Sequence, residues 1–489
     1  MDFFSFMQHR LGSPIDVAPR HGPTAWLCCA VAIALFWTAA PAYSEPKPIH
    51  CTLEQCYAAA LQRSPLLAAA RLNIDQYDSK LREAQTAWYP KLDISNFSTA
   101  LPTLKPGRDG SDTWADYDFQ NLGPLMVSSV SVVQPLYTFG KISTLKALAR
   151  QGVDIARTTV RVAEDEMRYQ LSRAWWGLVL VESLADLTTD GLKLLKEQRE
   201  RLEAARDDGD ASFNQADLLK LNVYSAEIEE KIKQFDRNRA QAADGIRLAL
   251  AHESDVPVQA AGELTALTVP DVPSAAYEAL ALANSPRLLA QRDGVQARLI
   301  QVDLAKNQLW PELIFVARLA YTYAPTRDST GDSLATNPTN SATSGVGVAV
   351  RWSLDVFRLL EKVDQAKLDA RQAVLQTQGE AMKLRNDVRQ LYRELVDARA
   401  LIDIQQRALK AARGWLLAEN QAYEDGFQEF PEVLRATETF YRKRMAHAEA
   451  IYTYNVAVAA LSRAVGMDLT SLQASLQLGT AKSKGSAAP

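Results

Sequence analysis

The feature that most constrains this chain is a junction that occurs twice. A helical pattern runs into Trp88-Tyr89-Pro90-Lys91-Leu92 and turns into a strand, and Pro311 of Trp310-Pro311-Glu312-Leu313 marks the same switch 221 positions after Pro90. Upstream, Arg63-Ser64-Pro65 and Asn284-Ser285-Pro286 stand at that same offset. Helix start, helix length and the change to strand recur in register, so the chain is a duplicated unit. Proline ends each helix because it lacks an amide proton and has a fixed φ. The aromatic beside it is the side chain favoured at a membrane–water boundary.

The first repeat spans residues 45–251. Its pattern predicts a helix over Leu53–Ala87 broken at Ser64-Pro65, a strand over Leu92–Pro102, an exposed acidic loop over Leu101–Gly123 and a strand over Leu125–Tyr137. From Ile142 to Arg206 there are 65 residues without proline, and Met167, Leu171, Ala174, Leu178, Val181 and Ala185 step by four and three. That is a long heptad-like helix, closed by Asp207-Asp208-Gly209 with the glycine at the C′ position. A helix over Phe213–Ala251 follows at once and makes the pair an antiparallel hairpin. After a linker, 252–273, the second repeat (274–472) predicts the same order: helix Ser274–Leu309, strand Leu313–Tyr323, loop 324–343, strand Ser344–Val356, long helix Leu359–Tyr423 and helix Pro431–Val465. The tail 473–489 is expected to be disordered.

Lengths then decide the architecture. In each half two short helices stacked end to end match one long helix, giving columns roughly 90–100 Å tall at about 1.5 Å per residue. The strands carry a period of two. Leu313, Phe315, Ala317, Leu319, Tyr321 and Tyr323 alternate with Ile314, Val316, Arg318, Ala320 and Thr322, while Val346, Val348 and Val350 alternate with Gly345, Gly347 and Ala349. One face is apolar and the other carries Gly and Arg, the dyad pattern of a membrane β-barrel. A soluble half-buried sheet alternates in the same way; an export signal and the aromatic–proline junctions weigh toward the barrel. Residues 1–44 read as a secretory signal, with an apolar run Ala25–Ala40 of 16 residues and cleavage after Ala42 or Ser44; a short membrane anchor is the alternative. Four strands cannot close a barrel and an open edge is forbidden in lipid, so several copies must share one. The fold class is α+β.

Composition removes several functions. Net charge is −4 and no basic stretch is interleaved with aromatics, so no nucleic-acid partner is expected. Five scattered His form no metal set or catalytic triad, and Gly140-Lys141 lacks the other residues of a phosphate-binding loop. Gly331-Asp332-Ser333-Leu334 spells an esterase motif in a loop with no Asp-x-x-His partner near the C-terminus. No cofactor and no enzyme activity are expected. Cys51 and Cys56 are the two cysteines of the exported chain, and an oxidising compartment permits a bridge between them.

Taken together, the two junctions, Gln134-Pro135-Leu136-Tyr137-Thr138-Phe139-Gly140 and the two Gly-centred turns resemble the TolC family of outer-membrane efflux proteins, over nearly all of Leu53–Leu472. The resemblance implies a homotrimer. Three chains would give four strands each to a barrel in outer-membrane lipid, above an α-helical tunnel crossing the periplasm, with loops 102–123 and 324–343 outside and 252–273 in an equatorial belt. Trp88, Tyr89, Pro90, Trp310 and Pro311 would sit at the membrane interface. Asp217 and Tyr423 match two positions of the periplasmic gate, and Glu432 matches an acid ringing the constriction. Asp217 and Glu432 each also fit a plain charge in the first turn of a helix. Gly209 and Gly426 would mark the tips where a periplasmic adaptor docks, coupling the duct to an inner-membrane transporter. Arg435 stands where relatives often carry a second acid, and Ala204 replaces a polar gate partner. Within this class the cargo is small toxic compounds or antibiotics, with type I protein secretion as the alternative. A non-channel envelope coiled coil is the competing class, and it needs no alternating strands.

Overall fold

The computed structural model describes residues 49–105, 116–208, 214–252, 256–327 and 340–471. The expected signal, the tail after 472, Gly209 and the Gly331–Leu334 motif lie outside them. A short strand β1 (Ile49–Cys51) leads into helices α1 (Leu53–Arg63) and α2 (Pro65–Thr86). Strands β2 (Lys91–Lys105) and β3 (Asp116–Tyr137) follow, then helices α3 (Lys141–Asp207) and α4 (Gln215–Leu250). After β4 (Val258–Ala260) the order repeats as α5 (Ser274–Asn284), α6 (Pro286–Asn307), β5 (Glu312–Tyr323), β6 (Ser341–Arg351), α7 (Val356–Glu424) and α8 (Phe430–Val465).

The duplication is kept residue by residue. α1, α2 and β2 begin at Leu53, Pro65 and Lys91, and α5, α6 and β5 begin 221 positions later in each case. α4 and α8 each have 36 residues and are offset by 215 at both ends. Local chemistry sets these limits. Thr52 and Gln55 form a capping box at the start of α1, and Pro65 and Pro286 each open a helix in its first turn, where a missing N–H costs nothing. The long helices α3 and α7 have 67 and 69 residues, or roughly 100 Å at the standard rise. α3 packs against α2 and α6 along one part of its length and against α4 and α8 along another; α7 packs against α5, α6 and α8.

Two buried cores form about midway, where the short helices meet end to end. In the first, Leu171, Trp175 and Leu178 of α3 close on Ile246 and Leu250 of α4, with Cys56, Val258 and Trp176. Trp175 and Trp176 meet edge to face at 4.8 Å, so this pair is core packing. In the second, Val388, Leu395 and Ala398 of α7 meet Tyr454, Val458, Leu461 and Val465 of α8 around Tyr277. The Tyr277 hydroxyl donates to Pro270 O at 2.7 Å, and its burial, aided by Tyr392, Tyr454 and Asp271, pushes its pKa up to about 12. Cores this narrow supply their stability through many four- and three-step contacts along the columns rather than through one globular interior.

Three features differ from the sequence expectation. β1 and β4 pair in parallel, Ile49 with Val258 through Cys51 with Ala260, so the linker is tied to the start of the first repeat. The first strand pair is longer than expected: β2 continues to Lys105 and β3 begins at Asp116, which places Asp116 and Asp118 in the sheet and narrows the acidic loop. Asp118 accepts from Gln120 N and Asn121 Nδ2 beside a register shift at Pro102/Thr103, which is how an acid is accommodated in that strand. β6 covers Ser341–Arg351 rather than 344–356, because Asp355 already caps α7.

Candidate functional site

β2, β3, β5 and β6 form one antiparallel sheet in that order, and its register separates two faces. Asp93, Ser131, Arg318 and Gly345 lie across it in one row, and Ser95, Ser129, Ala320 and Thr343 in another, with the Ser95 and Ser129 hydroxyls 2.8 Å apart. The rows of the other face read Leu92, Val132, Ala317, Val346 and Ile94, Val130, Leu319, Ser344. On that face Leu92, Ile94, Leu319 and Val346 are all more than half exposed. An apolar face this open on a long sheet needs a nonaqueous neighbour. β2 and β6 are the edges, and each has one side without a strand partner among the described residues.

Where the sheet meets the helices, polar bonds and aromatics lock the turn. Trp88, Tyr89 and Trp310 are exposed beside Pro90 and Pro311, and Trp352 joins them by donating from Nε1 to Leu309 O at 3.0 Å. Phe139 at φ 47° and Gly140 at φ 87° form the elbow into α3. A Cβ on Gly140 would stand 2.9 Å from Asn307 Nδ2, which donates to Thr144, so glycine is required there. Phe139 stacks on Trp310 at 5.9 Å, joining the two repeats, and Lys141 and Arg351 both pair with Glu312. The sequence reading missed this cluster of Lys141, Arg351 and Trp352.

At the other end of the columns the hairpin residues take equivalent places. Asp217 and Glu432 are each the third residue of their helix, α4 and α8, and each pairs with a cation one turn on: Asp217 with Lys220 at 3.1 Å and Glu432 with Arg435 at 3.2 Å. The Asp217 side chain is 14% exposed and that of Glu432 33%. Asn214 caps α4 by accepting from Ala216 N at 2.9 Å. Tyr423 lies in the last turn of α7, 43% exposed, with its carbonyl accepting from Gly426 N. Gly426 has φ +76° with open space around it, and Phe427 beyond it is 85% exposed.

Near the middle of the columns, charged groups bind the two repeats together. Glu166 of α3 holds Arg463 of α8 at 2.9 Å and Arg287 of α6 at 3.4 Å, and Arg168 holds Asp468 at 2.8 Å. Burial pushes the Glu166 carboxyl up, but Gln170, Arg463 and Arg287 outweigh it and leave the pKa lowered. Asp165 and Glu182 are raised, in both cases mainly by burial. Cys51 and Cys56 form a disulfide, and Cys51 O accepts from Trp175 Nε1 at 3.1 Å. Among the described residues no group of three or more His, Cys, Asp or Glu is arranged to hold a metal ion, and no helix is long and apolar enough to cross a membrane.

The sequence profile of the family described as Outer membrane efflux protein matches residues 279–467. No curated protein matches the sequence. Among solved structures, the fold is similar to that of CusC, studied for folding and transmembrane channel formation, at 16% identity, with 87% of this chain and 96% of that one covered and a TM-score of 0.69. It is similar to the outer membrane protein VceC of Vibrio cholerae, at 16% identity, 85% and 96% coverage and TM-score 0.65. It is also similar to the open-state MtrE outer membrane channel of Neisseria gonorrhoeae, at 14% identity, 85% and 89% coverage and TM-score 0.67. At these identities the likeness is one of fold.

Proposed function

For a chain whose residues 279–467 match the outer membrane efflux protein family and whose described body has the fold of solved outer-membrane channels, we propose the role of a passive exit duct in the outer membrane that reaches into the periplasm. The observation that carries this reading is the four-stranded sheet: apolar and exposed on one face, lined by Asp93, Ser131, Arg318 and glycines on the other, and open at both edges. In hydrocarbon each unpaired edge amide costs several kcal/mol, so β2 of one copy must pair with β6 of the next. Three copies would give twelve strands, enough for a closed barrel with a wide interior. The aromatic junctions around Pro90 and Pro311 would lie at its periplasmic rim.

The helical columns would continue the lumen through the periplasm to a constriction at Asp217, Tyr423 and Glu432. Because each acid there is paired with Lys220 or Arg435, the threefold ring carries little net charge and its cation preference is modest. A periplasmic adaptor seated on the tips at Gly209 and Gly426 would favour the open arrangement, and an inner-membrane transporter would supply the energy. The family's description as efflux proteins supports export; we take small toxic compounds as the cargo, with type I protein secretion as the alternative.

Native mass spectrometry of the detergent-extracted protein tests the assembly. Three copies are expected, with a barrel that resists unfolding in cold detergent. A stable monomer with its sheet intact in lipid would overturn the reading.

A further inference from the structure

Just beyond the first core, toward the tips, α3 and α4 part around a hollow of about 490 Å³ with the β1–β4 pair across one side. In that parallel pair His50 stands opposite Gln259. Side chains alternate along a strand, so these two face the hollow while Cys51 and Val258 enter the core behind it. α3 contributes Glu182 and Ala185, and α4 contributes Phe235, Asp236 and Arg239, at the three- and four-residue steps of one helix face. Glu182 Oε1 is buried with no hydrogen-bond partner among the described residues. Burial pushes this carboxyl up, and Ala260, Arg239 and His50 only partly offset it. Asp236 and Arg239 are exposed on the wall and form no ion pair among the described residues.

The second repeat shows what packing alone places at this height. The apolar steps of α3 match those of α7 at an offset of 217, Leu171 with Val388 and Leu178 with Leu395, and α4 matches α8 at 215. Phe235, Asp236 and Arg239 therefore correspond to Ala450, Ile451 and Tyr454, all three buried, and Ala185 corresponds to Ile402, which packs on the second core. Where one repeat has apolar side chains in contact, the other has charged groups around a space. Packing does not require those charges, and a buried acceptor left without a donor is costly. A bound donor removes that cost. No group of three or more His, Cys, Asp or Glu among the described residues is arranged to hold a metal ion, so the donor belongs to an organic molecule, and the volume lies within the range of about 300–1,000 Å³ usual for small-molecule sites. We propose that the hollow binds a small zwitterion with an apolar side group, its ammonium on Glu182 and Asp236, its anionic end on Arg239 and its apolar group against Phe235. Two acids at one end and a guanidinium beside them fit both charges of such a ligand, and Ala185 leaves the room that Ile402 fills in the other repeat. The site needs no conduction and stands apart from the duct reading.

The test is equilibrium dialysis of radiolabelled L-phenylalanine against the full-length protein in detergent, with phenethylamine and 3-phenylpropionate as competitors that each keep one charge. Saturable binding with a Kd on the order of 100 μM is expected for a ligand of this size. Each one-charge competitor should bind at least about tenfold more weakly. Glu182→Gln keeps the shape of the side chain and removes its charge, Arg239→Met removes the cation, and each should weaken phenylalanine about tenfold. Ala185→Ile leaves every charge in place and should block binding by filling the space. Thermal midpoints of the unliganded variants report folding, and Arg239, being exposed, decides the matter if Glu182→Gln fails to fold. Folded wild type without saturable binding would overturn the site, as would Arg239→Met and Ala185→Ile variants that bind like wild type. Phenethylamine binding as tightly as phenylalanine would overturn the assignment of a zwitterion.

Discussion

The two 36-residue helices end in the same way, and the difference between their caps fixes a pair of opposite stability effects. Ala251 closes α4 at φ 52°, ψ 39°, and Gly466 closes α8 at φ 76°, ψ 24°, at the repeat offset of 215. Both caps make the same reversed bonds: His252 N to Arg247 O at 3.0 Å, and Met467 N to Ser462 O at 3.2 Å. An L-residue in the left-handed region costs about 1–2 kcal/mol, of which glycine forfeits about 0.5–1 through its greater freedom when unfolded. Ala251→Gly is therefore expected to stabilise the chain by about 0.5–1 kcal/mol. At Gly466 the same arithmetic is reversed and a clash is added. A Cβ there would lie 2.7 Å from Asn284 O and 2.8 Å from Pro286 Cδ, at the joint between α5 and α6. Overpacking against backbone and a proline ring adds about 1–3 kcal/mol, so Gly466→Ala is expected to cost about 1.5–4 kcal/mol. Guanidinium unfolding of the detergent-solubilised protein, followed by far-UV circular dichroism, reads both as midpoint shifts at constant m. A destabilising Ala251→Gly, or a Gly466→Ala within about 0.5 kcal/mol of wild type, would refute the cap argument.

Three further outcomes follow from the same geometry. Replacing Cys51 and Cys56 by serine opens a five-residue separation and is expected to cost about 2 kcal/mol by loop-closure entropy, with a change in near-UV dichroism because Trp175 packs on that strand. Glu166 has a folded pKa below its ordinary 4.5, so its contribution is complete above that value and is lost as pH falls through the lower folded one. Glu166→Gln should therefore lower the melting temperature slightly at pH 7 and converge with wild type in acid, the gap staying under about 1 kcal/mol because the side chain is 39% exposed. Arg435→Glu removes the cation beside Glu432 and adds a second acid, and reversal potentials should shift toward cations by at least about twofold in permeability ratio.

Much of the fold was legible because proline and period act locally. Pro65, Pro90, Pro286 and Pro311 punctuate the chain wherever the repeat changes element, and the helix starts of the two halves agree to the residue. The β1–β4 pair was not legible, since three residues at each end of a separation of about two hundred carry no period of their own. The extension of β3 back to Asp116 was hidden by acids, Gly123 and Pro124, whose preference for loops is overridden by pairing with β2. At the tips, the sequence pointed to Asp217, Tyr423 and Glu432 through resemblance, yet the pairing of each acid with its own i+3 cation could have been found from Asp217/Lys220 and Glu432/Arg435 spacing alone. The buried cluster of Leu195, Leu221 and Leu434 joins residues far apart in sequence and needed the packing of α3, α4 and α8 to appear.

Single-channel recording of the purified protein in a planar bilayer tests the central claim most directly, with wild type set against Glu432→Ala. The duct predicts discrete openings of one size, gated at the tips, with a cation preference that falls in the variant. Well-folded protein that inserts into the bilayer and passes no current, even with Asp217 and Tyr423 replaced to loosen the constriction, would contradict it.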